Sequence, residues 1–124
     1  MSDIFFYRCE RCGNIVALLK SGGGTLTCCG QAMNKLVANT SDGAKEKHVP
    51  AITRENGKLK VKVGSVLHPM LPEHHIEWIA LVSGRRVEFK YLQPGEQPIA
   101  EFDNAESGTV YEYCNLHGLW KAEF

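Results

Sequence analysis

The stretch Ile76-Glu77-Trp78-Ile79-Ala80-Leu81-Val82 decides the fold of the larger part of the chain. It is short, almost wholly apolar and free of Gly and Pro, which is typical of a buried strand. Residues 58–63 and 86–91 alternate polar and apolar side chains with a period of two, and residues 109–113 form a further candidate strand. Short strands at this spacing, separated by turns such as 93–96, predict an antiparallel β-sandwich. No stretch predicts an amphipathic helix.

The residue types that bind metals divide the chain into two blocks. Residues 1–38 contain four of the five cysteines and no histidine, whereas residues 39–124 contain all five histidines and the remaining cysteine. A linker is predicted at Asn39-Thr40-Ser41-Asp42-Gly43, because these residues are small, polar and turn-forming. We therefore expect one domain over residues 1–38 and a second over residues 39–124.

The first block is too short to bury a large core, so a metal is expected to contribute to its folding. Its apolar stretches, 15–19 and 26–28, flank three consecutive glycines at 22–24. Glycine supplies the positive φ that a tight turn needs. This arrangement predicts a short hairpin that turns at the glycines.

Composition and charge exclude several function classes. The chain has 14 basic and 14 acidic residues, so the charge excess of a nucleic-acid or anionic-membrane binder is missing. Residues 1–8 lack the pattern of a secretion signal, and no apolar run reaches membrane-spanning length. We expect a cytoplasmic protein whose five cysteines stay reduced and serve metal binding or catalysis.

The first candidate site comprises Cys9-Glu10-Arg11-Cys12-Gly13 and Cys28-Cys29-Gly30. Four thiolates so arranged suit tetrahedral zinc or iron. The glycine after each pair favours a turn with positive φ, in which backbone amides point at the sulfurs. A structural zinc ribbon is the main alternative, but a ribbon has a second CxxC where this chain has adjacent cysteines. The pattern resembles the iron site of desulforedoxin, a rubredoxin-like electron-transfer module, over nearly all of residues 1–38.

The second candidate site gathers histidines with the last cysteine. Histidines occur at 48, 68, 74 and 75, and the fifth follows a cysteine in Cys114-Asn115-Leu116-His117-Gly118. Adjacent side chains in a strand face opposite sides, so His74 and His75 are not expected to reach the same metal. If the strand extends back from Trp78, His74 shares its apolar face, and His75 shares the face of Glu77. We therefore predict His74 as a ligand and His75 as a non-ligand.

Taken together, these motifs resemble desulfoferrodoxin, the two-iron class of superoxide reductase. The resemblance spans the whole chain and rests on a set of segments that occur in the family's order: Glu46-Lys47-His48-Val49-Pro50, His68-Pro69-Met70, His74 before Ile76-Glu77-Trp78, and Cys114-Asn115-Leu116-His117-Gly118. It implies a desulforedoxin-like N-terminal domain, an immunoglobulin-like β-sandwich and a homodimer.

The resemblance also implies the chemistry. It makes Cys9, Cys12, Cys28 and Cys29 the ligands of one iron. It makes the nitrogens of His48, His68, His74 and His117 the planar ligands of a second iron, with Cys114 on the axis and the opposite position open. By the same resemblance, Glu46 occupies that position in the resting ferric state, and Lys47 attracts superoxide and helps organise a proton-donating water.

The implied reaction is the one-electron reduction of superoxide to hydrogen peroxide, with re-reduction by an external donor of the rubredoxin type. A non-catalytic iron or zinc module that carries electrons is the alternative. It accounts for the first site but leaves the mixed nitrogen and sulfur ligands of the second unexplained. A nucleic-acid-binding zinc ribbon is disfavoured by the balanced charge.

Overall fold

A computed structural model describes residues 4–41 and 43–124 of the chain. Residues 1–3 of the N-terminal segment 1–8, which lacks the pattern of a secretion signal, lie outside the described residues, as does Asp42 of the expected linker. The backbone contacts divide the chain into two compact units, Met1–Val37 and Ala38–Phe124.

The first unit is built from short strands, and Ile4, Phe6 and Cys9 are buried in it. Its strands are β1 (Phe5–Arg8), β2 (Ile15–Leu18), β3 (Thr27–Cys28), β4 (Gln31–Ala32) and β5 (Asn34–Lys35). One antiparallel sheet has the order β2-β1-β5, and β3 pairs with β4 as a separate hairpin.

The predicted hairpin across the glycine run is wrong. Strand β2 pairs with β1, so that Arg8 lies opposite Ile15, and β3 pairs with β4. The chain already reverses at the first cysteine pair, where the amide of Cys9 donates to the carbonyl of Asn14 at 2.8 Å. Because of this turn, β2 already pairs with β1 before the chain reaches the glycines. The glycines therefore lie in a loop and do not connect two paired strands.

The second unit is almost entirely β structure. Its described residues include one helical turn, α1 (Lys45–His48). Its strands are β6 (Pro50–Glu55), β7 (Lys58–Val63), β8 (Ile76–Ser83), β9 (Arg86–Tyr91), β10 (Ile99–Asp103), β11 (Thr109–Cys114) and β12 (Gly118–Glu123). The prediction of a mainly β chain is confirmed. In the described part of the chain, no helix is long and apolar enough to cross a membrane.

These strands form two antiparallel sheets with the orders β10-β7-β6 and β12-β11-β8-β9. One core joins them, because the alternate apolar residues of both sheets point inward. It includes Leu59, Val61 and Phe102 from the smaller sheet and Leu81 and Val110 from the larger one. Three strands on four is the strand count of an immunoglobulin constant-type sandwich, and the predicted sandwich is confirmed.

A bulge interrupts the pairing of β8 with β11. Tyr113 lies opposite Trp78, but the next residue, Cys114, lies opposite Ile76, so Glu77 is an extra residue on β8. An extra residue reverses which face the following side chains occupy. Ile76 therefore joins the core with Ile79 and Leu81, and Trp78 lies outside that core cluster. The register shift falls between Tyr113 and Cys114, so it is next to the last residue of β11.

Candidate metal centres

Four thiols meet in the first unit. The sulfur atoms of Cys9, Cys12, Cys28 and Cys29 all lie within 4.8 Å of one another. The Sγ atoms of Cys12 and Cys28 are 3.6 Å apart, and those of Cys28 and Cys29 are 3.9 Å apart. Cys9 is buried, whereas Cys12 and Cys29 are exposed. The predicted set of four cysteines is thus brought together.

The backbone around these thiols turns as the sequence predicts. Gly13 and Gly30 have φ angles of 81° and 77°, in the region that glycine occupies without steric cost. Hydrogen bonds from the backbone amides of Cys12 and Arg11 lower the pKa of the Cys9 thiol to about 6, the Cys12 amide having the larger effect. The turn therefore presents amides that stabilise a thiolate.

Further ionisation of this group is opposed by the thiols themselves. The hydrogen bond that Cys29 shares with Cys12 raises the pKa of Cys29 to about 12, and Cys12 also raises the pKa of Cys28. Several negative charges within a few ångströms repel one another unless a cation lies between them. The donor set therefore suits a metal that four thiolates bind tetrahedrally.

A second group in the other unit combines four imidazoles and one thiol. Its ligand atoms also lie within 4.8 Å of one another. The five side chains come from the end of α1, the loop after β7, the loop before β8, the end of β11 and the turn before β12: His48, His68, His74, Cys114 and His117. The sandwich thus gathers residues that are up to 69 positions apart in the chain.

Two of the rings are held by backbone carbonyls. Nδ1 of His48 donates to the carbonyl of Ala44 at 2.8 Å, and Nδ1 of His68 donates to that of Pro69 at 2.7 Å. Because a carbonyl only accepts, each ring keeps its proton on Nδ1, and its Nε2 presents a lone pair. Burial, the largest effect, lowers the pKa of His48, and it lowers that of His68 to about 4. Both rings are therefore neutral at pH 7.

Those lone pairs point at each other. Nε2 of His48 lies 3.1 Å from Nε2 of His68 and 3.0 Å from Nδ1 of His117. Two unprotonated nitrogens at this distance repel each other unless a cation lies between them. Nε2 of His74 is buried and has no hydrogen-bond partner. A metal ion would satisfy all of these atoms at once, so the group fits a metal.

His74 belongs to this group and His75 does not. Nδ1 of His75 lies 3.1 Å from the carbonyl of Leu71, away from the other imidazoles. The parity argument that selected His74 is nevertheless wrong in its premise. Strand β8 begins at Ile76, and the bulge at Glu77 breaks the alternation that the argument required. His74 instead lies in a loop closed by a bridge to Leu71.

The single thiol of this group is fully buried. Burial raises the pKa of Cys114, and hydrogen bonds from the amides of His117 and Leu116 oppose that effect. Its Sγ lies 3.4 Å from Nε2 of His68 and 3.8 Å from Nδ1 of His117. A metal bound by these nitrogens would favour the thiolate, and the two amides are already directed at the sulfur.

The two charged residues predicted beside the site differ in their relation to it. Both Glu46 and Lys47 are exposed on α1. The positive charge of Lys47 contributes to lowering the pKa of His48 and of His74, so it acts on the cluster. The Glu46 carboxylate makes no hydrogen bond or ion pair with a described residue, whereas its backbone carbonyl accepts from the amide of Val66 at 2.9 Å.

Sequence reasoning missed two buried residues near the second group. The ring of Trp120 stacks on His48 with centroids 4.9 Å apart, and its Nε1 donates to the carbonyl of His117 at 3.0 Å. Glu112 is fully buried, and neither of its oxygens has a partner among the described residues. Burial raises its pKa well above the ordinary value. The sequence signal that could have identified Glu112 is its spacing of two residues from Val110, which places both side chains on the same, inward face of β11.

The chain is similar to known proteins along its whole length. The family model "Desulfoferrodoxin" matches residues 40–123, and "Desulfoferrodoxin, N-terminal domain" matches residues 3–36. A desulfoferrodoxin of Clostridium acetobutylicum is 54% identical over 98% of both chains, and that of Nitratidesulfovibrio vulgaris is 54% identical over 94% of both. The crystal structure of the superoxide reductase from Treponema pallidum has a TM-score of 0.79, at 30% identity over 98% of both chains.

Proposed function

The chain belongs to the desulfoferrodoxin family, and from this premise we propose that it is a superoxide reductase that reduces superoxide to hydrogen peroxide with one electron and two protons. Residues 1–38 form an iron domain held by Cys9, Cys12, Cys28 and Cys29. Residues 39–124 form the catalytic domain, in which His48, His68, His74, His117 and Cys114 hold a second iron.

The observation that carries this proposal is the set of lone pairs in the second group. Nε2 of His48 and Nε2 of His68 are 3.1 Å apart, and both rings have committed their protons to carbonyls. One buried thiol completes the set. A site that served only structure would be closed by four ligands. Four nitrogens and one sulfur leave a sixth position for a small molecule if the metal is octahedral.

When bound, the iron of this site supplies the electron that superoxide accepts. The protein holds the electron-donating side chain away from water, because Cys114 is fully buried and its sulfur receives two backbone amides. The carbonyls of Ala44 and Pro69 fix the tautomers of His48 and His68, and Trp120 packs against the His48 ring. These contacts keep the ligand atoms oriented before any substrate arrives.

The approach of the substrate depends on local charge. The chain has no net charge, so a small anion is attracted only by charges near its site. Lys47 is the cation whose charge acts on His48 and His74. We assign to it the attraction of superoxide and the organisation of a proton-donating water. Glu46 would supply a further ligand, its carboxylate, to the iron in the resting ferric state.

The cycle requires an electron for every superoxide. The proposal therefore includes an external electron donor of the rubredoxin type. It also includes a homodimer in the cytoplasm. Family resemblance supports the donor and the homodimer, and the exposed residues Cys12 and Cys29 make the first site accessible to a donor.

Metal analysis with superoxide titration tests the proposal. Protein expressed with ample iron is expected to hold two irons per chain and to be coloured, because thiolate-to-ferric transitions absorb visible light. The reduced protein should form one hydrogen peroxide for each superoxide consumed, without releasing oxygen. Colourless protein that contains only zinc would contradict the proposal, as would oxygen release at half of the superoxide consumed, which indicates dismutation.

A further inference from the structure

The turn that follows β11 holds the backbone on both sides of His74 through one side chain, that of Asn115. Its Nδ2 donates to the carbonyl of Glu73 at 3.0 Å, and its Oδ1 accepts from the amide of His75 at 2.9 Å. The backbone amide of Asn115 also donates to the carbonyl of His75 at 3.2 Å. Three hydrogen bonds thus connect the residue after Cys114 to the neighbours of His74.

The loop that carries His74 needs this connection. Regular pairing of β8 with β11 ends where Cys114 lies opposite Ile76, so His74 and His75 are beyond the ladder. Two further hydrogen bonds, between the backbones of Leu71 and His74 at 2.9 and 3.1 Å, close the loop on itself. These bonds hold the loop's own shape but do not fix its position relative to β11. The side chain of Asn115 continues the hydrogen bonding beyond the ladder and thereby fixes the position of the loop relative to β11.

The ring of His74 differs from those of His48 and His68 in how it is oriented. His48 and His68 each donate a ring N–H to a carbonyl. Nε2 of His74, in contrast, is buried and has no hydrogen-bond partner among the described residues. The direction of this imidazole is therefore set by its backbone, and that backbone is held by Asn115.

We propose that Asn115 is a positioning residue that sets the His74 imidazole relative to the Cys114 thiolate. The role requires a donor and an acceptor on one planar group, which an amide provides and a carboxylate, hydroxyl or methyl does not. The inference rests on the proposed function, because it assumes that these side chains bind one iron. It concerns how uniformly the ligands of that site are oriented and how tightly they bind iron.

The test replaces Asn115 with alanine in the full-length, iron-loaded protein. The affinity of the second centre for iron should fall by about 10- to 100-fold, as is usual when a group that orients a ligand is lost. The thiolate-to-iron absorption and the electron paramagnetic resonance lines of that centre should shift and broaden. The spectrum of the four-cysteine centre should not change.

A matched control is available at Asn39. Its side chain accepts from the amide of Lys121 at 2.9 Å and donates to the carbonyl of the same residue at 3.3 Å. Because its φ is 64°, glycine is the substitution that removes the side chain without strain. Asn39→Gly should lower the melting temperature as Asn115→Ala does, yet leave the spectrum of the second centre unchanged.

The outcomes separate the inference from the proposed function. A wild-type protein with no histidine-centre signal contradicts the proposed function. A normal wild-type signal that Asn115→Ala leaves unchanged in band position, line width and iron affinity overturns the role of Asn115. If Asn115→Ala does not accumulate as folded protein, Asn115→Ser provides the same test, because its hydroxyl is too short to bridge Glu73 and His75.

Discussion

At the scale of single residues, the second centre depends on how each imidazole uses its two nitrogens. His48 and His68 commit one nitrogen to a carbonyl, and the other faces the cluster. The ring tautomer is thereby decided by a backbone carbonyl of the same local segment, four residues before His48 and one residue after His68. These two rings are neutral before metal binding, which suits capture of a cation.

Replacing Lys47 should slow the reaction with superoxide without loss of iron. Lys47→Ile removes the positive charge that acts on His48 and His74, and the second-order rate constant should fall by roughly tenfold. At physiological ionic strength the Debye length is about 8 Å, so the wild-type rate should fall as salt is added and the Lys47→Ile rate should fall less. Pulse radiolysis at several salt concentrations measures both.

Glu46→Ala is the matched control on the same helical turn. It should leave the rate of superoxide reduction nearly unchanged and alter the ferric absorption spectrum. Equal rates and equal salt dependence for wild type and Lys47→Ile would show that Lys47 is an ordinary surface lysine.

The two adjacent histidines should respond differently to substitution. His74→Ala removes a buried nitrogen that faces the cluster, so iron content or the spectrum of the second centre should change. His75→Gln should preserve both irons, because its ring lies outside the cluster. Metal analysis distinguishes them, and iron that is lost with His75 but retained without His74 would reverse the assignment.

The buried carboxyl of Glu112 should make stability depend on pH. Its pKa is raised in the folded protein, so the folded state holds the proton more tightly than the unfolded state. The stability is therefore fully present below the unfolded pKa of about 4.3 and falls as pH rises towards the folded pKa. Within that window the loss is about 1.4 kcal/mol per pH unit.

Glu112→Gln should remove this contribution. The difference in unfolding free energy between wild type and variant, measured by denaturant titration at pH 5 and pH 8, should favour the variant more at pH 8. The histidine contributions cancel in that difference. A difference that is constant with pH would indicate that Glu112 finds a partner, such as a buried water.

At the scale of elements, α1 and the end of β7 are packed so closely that only glycine fits between them. A Cβ on Gly64 would lie 2.7 Å from the carbonyl oxygen of Glu46 and 2.9 Å from that of Val49. Both contacts are with backbone, so the helical turn that carries Lys47 and His48 would have to move. The position of Lys47 and His48 at the second site thus depends on the absence of a side chain at Gly64.

Gly64→Ala should destabilise the second unit by about 1–3 kcal/mol and perturb the second iron. Gly108→Ala is the comparison. Gly108 immediately precedes β11, at the opposite end of that strand from Cys114. A Cβ on Gly108 would lie 2.5 Å from the carbonyl oxygen of Val82. The Gly108→Ala variant should destabilise the protein comparably and leave the histidine-centre spectrum intact. Thermal unfolding with visible absorption measures both effects, and equal spectral change in the two variants would contradict this account.

At the scale of the whole molecule, the two ligand sets are disjoint and lie in different compact units. Cys9→Ser should therefore remove the first centre and destabilise the first unit, which buries little apolar surface without its metal. The reaction of the pre-reduced second iron with superoxide should remain. If pulse radiolysis showed that this reaction disappears with the first centre, catalysis would not belong to the histidine site.

The sequence by itself determined the chemistry of both sites and the class of the fold. Ligand identity is a property of residue type, so four clustered cysteines and four histidines with one cysteine indicate two different metal sites wherever the chain folds. Period-two alternation in residues 58–63 and 86–91 is also local, because side chains of any strand face alternate sides. These features required no knowledge of which strand pairs with which.

The tertiary structure decided what depends on pairing between distant segments. Strand β2 pairs with β1 because the first cysteine turn reverses the chain early, and no local pattern in residues 15–28 predicts that. The bulge at Glu77 exists only because β8 is aligned with β11, and it invalidates the parity argument for His74. The Asn115 bonds, the stacking of Trp120 and the isolation of Glu112 likewise arise from elements brought together by the sandwich. Burial and hydrogen-bond partners are set by such non-local contacts, so composition and spacing alone do not contain them.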